Sequence, residues 1–492
     1  MIRNLLLAVI VLCFLLGGCF KEDFVTDSGS MLEFSLDTLT FDTVFTERGS
    51  ATRYFKVFNR HNKYIRITRV WIEGTPSFFR MNVDGIPGIQ VHDVEVPPND
   101  SIYIFVEVTI DPDQPLSVSP FVVNDIMQFE TNGNRQNVIL QAWGQNANYI
   151  PNRFFKGRQG YVSCDLNEWI WEDPRPYVLF GALLIDSCTL VLPPGTRLFF
   201  HGGIARDNSG SYYSDGIIYF FKHGKLQIEG TTDRPVIIQG DRLEAEYDDI
   251  PGQWGRIQLG PQSGEHSINH AIIKNAGIGI LVDSLAKLRI RNTQIYNSSS
   301  SALAGYRADI VAENCLFHTS GGNNVTIILG GNYQFTYCTL ANFGTATEAL
   351  RITNFTCLDG TPICSQPLAA RLNLVFKNSI IFGSGRDEIV LQDAVGEQDP
   401  SFFNYRFDYC IVKVDDLLSN DAHPDFFDFC DPCINGDRGS SLFIDVDNRD
   451  FHLDSLSIAQ GAGIPVMGID TDLDGVLRDP EQPDIGCYEF AN

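Results

Sequence analysis

The sequence has few basic residues for its length. Its 492 residues include 36 Lys and Arg against 61 Asp and Glu, which gives a formal net charge of −25 at pH 7. Nucleic acids and anionic lipid surfaces both attract proteins through Lys and Arg side chains. The composition therefore argues against a nucleic-acid-binding protein and against electrostatic docking on an anionic membrane.

The apolar run near the start of the chain is too short to span a membrane. It covers residues 5–16, whereas a membrane-spanning helix needs about 20 residues. Arg3 precedes the run and Leu16-Gly17-Gly18-Cys19 follows it, which is the arrangement of a secretory leader. We therefore assign residues 1–19 to a signal peptide and the polar residues 20–30 to a tether.

Helical periodicity is lacking between residues 254 and 412, where a four-residue phrase recurs instead. Each phrase has an Asn or Tyr, a small or polar residue, any residue and an apolar residue. The first four phrases lie 22 or 23 residues apart, and gaps of 41 and 31 residues follow. A coil of about 22 residues has room for three short strands and three turns, so the spacing predicts a parallel β-helix. The phrases begin at Asn269, Asn292, Asn314, Tyr337, Asn378 and Tyr409.

The second position of the phrase is predicted to face the core. Equivalent positions of stacked coils lie ~4.8 Å apart and form a ladder along the stack. Small residues at this position leave room for the larger apolar residue two positions later. The 41-residue gap is expected to hold two coils around an excursion that contains Cys357 and Cys364. The small residues are Thr293, Cys315, Cys338, Ser379 and Cys410.

Residues 31–147 carry a different set of strand signals. Apolar β-branched residues alternate with other residues from Ile102 to Ile110, which predicts a strand with one buried face. The pair Asn132-Gly133 between two apolar runs predicts a hairpin. Strands at this density favour a β-sandwich. The predicted fold is all-β: a sandwich over 31–147, a connection over 148–187, a parallel β-helix over 188–440 and a capping module over 441–492.

Two motifs near the start resemble those of bacterial lipoproteins. Leu16-Gly17-Gly18-Cys19 resembles the lipobox, which implies cleavage before Cys19 and lipidation of that residue. The acidic stretch Phe20-Lys21-Glu22-Asp23-Phe24 resembles the export signal of Bacteroidetes surface lipoproteins. The resemblance implies an outer-membrane lipoprotein that is exposed on the cell surface.

Later segments resemble modules of bacterial surface proteins. Phe41-Asp42-Thr43-Val44-Phe45 and Phe55-Lys56-Val57-Phe58-Asn59 resemble immunoglobulin-like modules, which serve as spacers or binding platforms. The segments around residues 224–257 resemble the opening coils of right-handed, pectate-lyase-like parallel β-helices. Asp484-Ile485-Gly486-Cys487-Tyr488-Glu489 is similar to the final segment of many secreted β-helix proteins, with Cys487 where Ala is usual.

The tail also contains a candidate calcium site. Asp470, Asp472, Asp474, Gly475 and Glu481 have the spacing of a calcium loop, in which carboxylates at alternating positions surround a hard cation. The flanking residues lack the helical pattern that normally accompanies such a loop. The alternative is a turn held by hydrogen bonds and by Arg478, which could pair with an Asp.

Signals for acid–base catalysis are few. Parallel β-helices often belong to polysaccharide lyases and glycosidases, whose chemistry uses paired carboxylates or a Lys or Arg base. Asp248 and Asp249 are the candidate pair, although adjacent residues on a strand point in opposite directions. Lys274 and Arg291 are further candidates, and solvated positions on the coils are the alternative for all of them.

Aromatic and cysteine-rich segments give two further expectations. An aromatic stretch from Phe402 to Phe429 either stacks on sugar rings as a glycan platform or forms the core of the last coils. Among the cysteines, two pairs lie in loop-like sequence and are the candidates for local disulfides in an oxidising compartment. These pairs are Cys357 with Cys364 and Cys430 with Cys433.

Two classes of function fit these observations. The first is a non-catalytic surface lipoprotein whose β-helix binds or scaffolds a glycan or an envelope partner. The second is a polysaccharide lyase or glycosidase on the same scaffold, and an accessory subunit of an outer-membrane complex is a further alternative. We expect the binding protein, with the outer membrane as its partner through lipid at Cys19 and with calcium as its one candidate cofactor.

Overall fold

The structure is a computed structural model that describes residues 23–46, 50, 52–110, 121–152, 154–206, 210–359, 364–394, 400–419 and 423–490. The predicted signal peptide and Cys19 lie outside the described residues. The fold is almost entirely β, with 52% of residues in strands and 3% in helix. The chain divides into two compact units, Met1–Asn146 and Ala147–Asn492. No helix among the described residues is long and apolar enough to span a membrane.

The first unit consists of two sheets around one core. One sheet has the strand order β1-β3-β8-β5-β6 and the other β2-β10-β9-β4-β7, and neighbouring strands are antiparallel except for β2 with β10. Buried side chains from both sheets form a single apolar cluster. The strands are β1 (Glu33–Phe34), β2 (Thr38–Phe45), β3 (Arg53–Phe58), β4 (Ile65–Ile72), β5 (Phe79–Val83), β6 (Ile86–Gly88), β7 (Gln90–Val96), β8 (Ser101–Val108), β9 (Phe121–Thr131) and β10 (Asn134–Gln145).

Two local predictions for this unit are confirmed. Every second residue of β8 from Ile102 to Val108 is buried, so the strand has one apolar face as its alternation indicates. Asn132 and Gly133 have φ of 51° and 81° and connect β9 to β10. Positive φ at both central residues is what a tight two-residue hairpin turn requires.

The predicted tether is attached to the first unit from Asp23 onward. Asp23 pairs with Lys63 at 2.7 Å, and the backbone of Val25 donates a hydrogen bond to the carbonyl of Tyr64 at 2.8 Å. The Phe24 ring lies 5.8 Å from that of Tyr64. The polar composition of residues 20–30 gave no sign of these contacts, because they depend on partners that are distant in sequence.

The second unit is a solenoid-like stack of parallel strands. Its strands are β11 (Asn148–Ile150), β12 (Gln159–Ser163), β13 (Glu168–Ile170), β14 (Tyr177–Phe180), β15 (Ala182–Asp186), β16 (Thr189–Leu192), β17 (Arg197–His201), β18 (Ile204–Arg206), β19 (Tyr212–Ser214), β20 (Ile217–Phe221), β21 (Lys225–Glu229), β22 (Val236–Gly240), β23 (Trp254–Leu259), β24 (Glu265–Asn269), β25 (Ala271–Lys274), β26 (Ala276–Val282), β27 (Lys287–Arg291), β28 (Gln294–Tyr296), β29 (Leu303–Glu313), β30 (Leu316–His318), β31 (Val325–Thr336), β32 (Thr339–Asn342), β33 (Leu350–Thr353), β34 (Phe355–Cys357), β35 (Pro367–Ala369), β36 (Leu372–Lys377), β37 (Ile380–Gly383), β38 (Ile389–Gln392), β39 (Phe403–Asp408), β40 (Cys410–Val412), β41 (Cys433–Asn435), β42 (Phe443–Asp445) and β43 (Asp450–Leu453). Among the described residues, helix is found in α1 (Asp416–Ser419) and in 3₁₀ turns at Ala245–Tyr247, Pro400–Phe402 and Phe426–Phe429.

Each regular coil contributes one strand to each of three parallel ladders. One ladder is a separate sheet in the order β11-β14-β17-β22-β25-β28-β30-β32-β37-β40-β41. The other two belong to one larger sheet, where the long strands β29 and β31 pair with their neighbours along both halves. The predicted inward ladder is confirmed, because Thr293, Cys315, Cys338, Ser379 and Cys410 are all fully buried.

The recurring phrase marks the corner before six strands of the separate sheet, namely β25, β28, β30, β32, β37 and β40. Asn292, Asn314 and Asn378 have φ between 47° and 51°, a left-handed conformation that Asn adopts more readily than most residues. The first phrase is shifted by one residue from the prediction: Ile272 pairs with Gln294, so His270 takes the corner position and Asn269 does not. Both residues are polar, so the sequence alone could not fix this register.

The 41-residue gap holds one coil and not the two predicted. β32 pairs directly with β37, so no further rung of that sheet lies between them. The additional residues form an antiparallel hairpin, β34 with β35, closed by a disulfide between Cys357 and Cys364. Its strands leave the parallel stack, and they account for the length that had indicated a second coil.

Residues 148–187 are part of the stack, which corrects their assignment as a connection. Strands β11 to β15 pair in parallel with later strands, and a disulfide joins Cys164 to Cys188. These strands are three to five residues long and carry no copy of the phrase. This disulfide holds the first coils together.

The segment after β41 runs back along the side of the coils. Its apolar residues form a cluster with the outer face of β30, β32, β37 and β40, including Phe382 of β37 and Phe451 of β43. The carbonyl of Ile464 accepts hydrogen bonds from Tyr337 and Asn378 at 2.8 and 2.6 Å, and that of Thr471 accepts one from Asn314 at 2.7 Å. The predicted capping module therefore lies along the corner residues, and we name the segment after β41, residues 436–490, the strap. The 3₁₀ turn Phe426–Phe429 covers the last rung instead.

Candidate functional site

The two carboxylates proposed as a catalytic pair form ion pairs with different cations. Asp248 forms an ion pair with Lys274, and Asp249 forms one with Arg449 of the strap. Arg291, the fourth candidate, pairs with Glu313 at 2.7 Å and donates to the carbonyl of Gly468. Each carboxylate is therefore paired with its own cation, and both ion pairs lie near Tyr296.

The calcium-loop residues form a turn held by backbone hydrogen bonds. Asp472 is buried, and its carboxylate accepts from the N–H groups of Asp474, Val476 and Glu489 at 2.8 to 2.9 Å. Asp474 instead contacts His452, and the backbone N–H of Glu481 donates to Asp479. Among the described residues, the carboxylates of this segment do not converge on a shared cation position.

Arg478 holds this turn to the coils. Its guanidinium is buried 3.9 Å from the centre of the Tyr337 ring, pairs with Glu489 at 3.2 Å and donates to the side-chain oxygen of Asn314 at 2.9 Å. The sequence alternative named Arg478 as the stabilising residue but expected an Asp as its partner. The observed partner is the Glu of the final Tyr488-Glu489 pair.

The candidate disulfide cysteines and the aromatic stretch do not form a functional site either. Cys357, Asp359 and Cys364 lie close enough to suggest a metal site, but the disulfide leaves no thiolate there. Cys430 and Cys433 are free thiols, in place of the local disulfide predicted for them. Phe403, Tyr405, Phe407 and Phe426 are buried, so half of the aromatic stretch belongs to the core and is not available to a glycan. The Phe407 ring continues a stack formed by Phe335 and Phe376 of the preceding coils.

A cationic groove between the last coils and the strap is the strongest candidate site. It consists of two adjoining cavities of about 640 and 570 Å³ that share Lys413 and Arg438 as lining residues. We name it the Lys413 groove. Its further lining residues are Arg386, Asp415, Asn435 and Asp437 on one side, and Phe343, Phe382, Ser384, Ser440, Ser441 and Phe443 on the other.

Lys413 is a buried cation at the centre of this groove. It directly follows β40, and its ammonium donates to the carbonyl of Gly383 at 2.6 Å while lying 4.8 Å from the centre of the Phe382 ring. Burial lowers the pKa of Lys413, and attraction to Glu388 opposes that shift. An ammonium can donate three hydrogen bonds, and this one has a single hydrogen-bond partner among the described residues.

The carboxylate of Glu388 accepts its hydrogen bonds from groups other than Lys413. Its buried carboxylate accepts from the Asn342 side chain at 3.0 Å and from the N–H groups of Ala349 and Gly385 at 3.0 and 2.7 Å. Burial raises the pKa of Glu388. Because these donors occupy the carboxylate, Lys413 keeps donors for a ligand.

The two arginines of the groove differ in how they are neutralised. Arg386 pairs with Asp415 and Asp416 at 2.8 and 2.9 Å. Arg438 is exposed and forms no hydrogen bond or ion pair with the described residues of the chain. One half of the groove therefore combines two cations, three serines and an apolar floor of phenylalanines, which suits a ligand that is anionic and partly apolar.

The sequence contained only a faint signal for this site. Lys413 follows the apolar residue of the last phrase, where the preceding coil has Phe382 and an earlier coil has Ala341. A Lys at this position of the coil is therefore a departure from its neighbours. The signal is weak, because Lys274 occupies the equivalent position of an earlier coil. The position of Arg438 beside Lys413 could not be predicted from the sequence, because it depends on how the segment after β41 folds back onto the coils.

Comparisons with known proteins leave the family open. No family model matches the chain, and no curated protein matches it. A protein of unknown function from Porphyromonas gingivalis W83 is similar at 12% identity, over 28% of this chain and 59% of that chain, with a TM-score of 0.18. The chain thus spans less than two thirds of that protein.

Two further solved structures show similarity at the same level. The seventh PapD-like (ASH) domain of human CEP192 matches at 8% identity over 24% of this chain and 85% of that chain, with a TM-score of 0.17. A family 123 glycoside hydrolase from Clostridium perfringens matches at 5% identity over 49% and 68%, also with a TM-score of 0.17. Scores this low carry no argument about fold or function.

Proposed function

We propose that this protein is an outer-membrane lipoprotein of Bacteroidetes type, anchored through Cys19 and displayed on the cell surface, that binds an anionic ligand in the Lys413 groove. The first unit is then an immunoglobulin-like spacer. The second is a right-handed parallel β-helix, in keeping with the handedness of parallel crossovers in general. The ligand class that fits best is an acidic glycan.

One observation supports this proposal above the others. Lys413 and Arg438 face a cavity with hydrogen-bond donors to spare, although the chain as a whole has a net charge of −25. Charge-assisted hydrogen bonds to carboxylates are among the stronger polar contacts in proteins. The phenylalanine floor adds apolar contact for the carbon faces of a sugar. The groove thus provides for binding, and the carboxylates once considered for catalysis lie elsewhere in ion pairs.

The test compares two charge reversals in the full mature chain. Binding of polygalacturonate, measured by titration calorimetry, should weaken about tenfold or more in Arg438→Glu, because each charged hydrogen bond contributes about 1.5–3 kcal/mol. Lys287→Glu is the matched control, since Lys287 is exposed and lies outside the groove. Wild-type affinity should also fall as salt is added.

Two results would contradict the proposal. Equal polygalacturonate affinity in the wild type and Arg438→Glu would remove the groove from consideration. Shortening of the polymer, with new reducing or unsaturated ends that disappear in Asp248→Asn or Asp249→Asn, would favour the polysaccharide lyase or glycosidase alternative.

A further inference from the structure

The first unit has an aromatic face that its own core does not use. On β3 and β8 the inward residues, such as Phe55 and Ile104, are buried. The outward side chains of Tyr54, Tyr103 and Phe105 are 55%, 38% and 38% exposed. Outward positions of an antiparallel sheet with one solvated face are normally polar. Three large rings on this face therefore need an explanation.

These rings form one continuous surface. Tyr54 pairs across the strands with Phe105, and its ring lies 5.9 Å from that of Phe105 and 5.3 Å from that of Tyr103. The rings of Tyr103 and Phe105 lie 5.9 Å apart and are nearly parallel, with an interplanar angle of 16°. We name this surface the aromatic face.

Polar groups alternate with the rings. Lys56 pairs with Tyr103 in the strand register, and its ammonium lies 4.7 Å from the centre of that ring. On the other side of β8, Asn82 pairs with Phe105 and Arg80 pairs with Glu107. A cavity of about 500 Å³ beside Phe105 is lined by Arg80, Asn82, Glu107 and the exposed Ile89.

This mixture of groups fits a sugar chain better than a protein surface. The centres of protein–protein interfaces are depleted in Lys and Glu, whereas here Lys56 and Glu107 lie beside the rings. Two cations, Lys56 and Arg80, face two carboxylates, Glu107 and the Asp100 that acts on Lys56, so the face does not select for an anion. A neutral sugar presents apolar C–H faces for stacking and hydroxyl groups for the polar side chains.

We propose that the aromatic face binds a neutral polysaccharide, whose pyranose rings stack on Tyr54, Tyr103 and Phe105. Lys56 and Asn82 donate hydrogen bonds to its hydroxyl groups, and Glu107 accepts from them. This site is independent of the Lys413 groove, because it lies in the other unit and selects a different chemistry. The cavity beside Phe105 has a size typical of ligand sites.

The experiment is affinity electrophoresis of the full mature chain in gels that contain hydroxyethyl cellulose, glucomannan or soluble starch. At least one of these polymers should retard the wild type. The double variant Tyr103→Ala/Phe105→Ala should lose at least tenfold in apparent affinity, whereas Tyr103→Trp should retain binding. Tyr212→Ala is the matched control, because Tyr212 is an exposed tyrosine of the second unit.

A purely structural role makes a different prediction. Cross-strand aromatic pairs stabilise sheets by about 0.2–1 kcal/mol each, so the double variant would melt slightly lower and bind as the wild type does. Retained binding in the double variant, equal loss in Tyr212→Ala, or no retardation of the wild type by any of the three polymers overturns the proposal. Arg438→Glu should leave binding of the neutral polymer unchanged, which separates this site from the Lys413 groove. Loss of an envelope protein partner in the double variant, with unchanged gel retardation, would instead identify a protein interface.

Discussion

The corner position of the phrase has two roles at the scale of single residues. Its left-handed conformation turns the chain into the next strand, and Asn is suited to it because its short polar side chain bonds locally. The same side chains continue along the stack: Asn314 donates to Asn292, and Asn292 donates to Asn269. Asn314 also donates to the strap. One residue type therefore connects the coils to one another and to the strap.

The first residue-scale prediction concerns Asp472. Asp472→Ala should lower the free energy of unfolding by about 2–3 kcal/mol, because three backbone N–H groups lose their acceptor. Asp470→Ala is the control, since that side chain makes no hydrogen bond with the described residues. Urea unfolding of both variants measures the difference.

The same variants test the cation interpretation of this segment. With the carboxylate of Asp472 occupied by backbone donors, the melting temperature of the wild type should not respond to calcium or to chelator. A melting temperature that rises with calcium in the wild type, and rises less in Asp472→Ala, would favour the calcium-site interpretation.

A second residue-scale prediction is a pH dependence centred on His452. Its ring contacts Asp474 at 2.8 Å and Asp450 at 2.5 Å and stacks on Tyr488. The hydrogen bond with Asp474, and then that with Asp450, raises the pKa of His452 to about 9. Because this value lies above the ordinary 6.5, the ion pairs stabilise the fold fully below about pH 6.5, and the stabilisation is lost as pH rises through about 9.

Melting curves between pH 6 and 10 test this dependence. The wild type should lose more stability across the range than His452→Gln, in which the titrating group is absent. His223→Gln is the control, since His223 is exposed and lies outside the strap. Parallel curves for the wild type and His452→Gln would contradict the prediction.

At the scale of elements, the sequence predicted best where the repeat is regular. From β28 to β32 the phrase recurs at nearly constant spacing, and the order of strands, the inward ladder and the corners all follow from it. Strands β11 to β15 were missed because their residues repeat no phrase, although Tyr177-Val178-Leu179-Phe180 is a fully buried apolar run. Cys164 lies in the same region and forms a disulfide with Cys188. The sequence alone could not predict this pairing, because it depends on the two residues being neighbours in the folded chain.

The two disulfides give an element-scale prediction. Cys164→Ala/Cys188→Ala should lower the free energy of unfolding by about 3 kcal/mol, and Cys357→Ala/Cys364→Ala by about 2 kcal/mol, because the second pair closes a shorter loop. Cys430→Ala/Cys433→Ala is the control, since those thiols are free. Urea unfolding under oxidising conditions measures all three. A larger loss in the control than in the first pair would contradict the observed pairing.

At the scale of the whole molecule, the all-β class and the solenoid-like part could be predicted from the sequence, but the candidate site could not. The Lys413 groove is formed where the last coils meet residues that return from the strap, and Arg438 lies about 25 positions from Lys413. No local pattern encodes such a meeting point. Likewise, the aromatic face combines β3, β5 and β8, whose separate sequences look like ordinary strands.

The lipid anchor is the prediction that concerns the whole chain. Cys19→Ala should release the protein from membranes, because the acyl chains are the proposed attachment. Protease added to intact cells should degrade the wild type if it is displayed outward. Membrane fractionation and immunoblotting measure both effects. A wild-type protein that fractionates with soluble proteins would contradict the anchor.

The strap has one further consequence, which concerns the number of coils. It bonds to Asn314 through Thr471 and to Asn378 through Ile464, so the distance between those two carbonyls matches the rise of the intervening coils. A coil inserted between these corners would move them ~4.8 Å further apart and leave one carbonyl without its donor. The length of the strap between Ile464 and Thr471 therefore fits one particular number of coils. Gain or loss of a repeat within this stretch requires a matching change near the end of the chain, so the two segments should vary in length together.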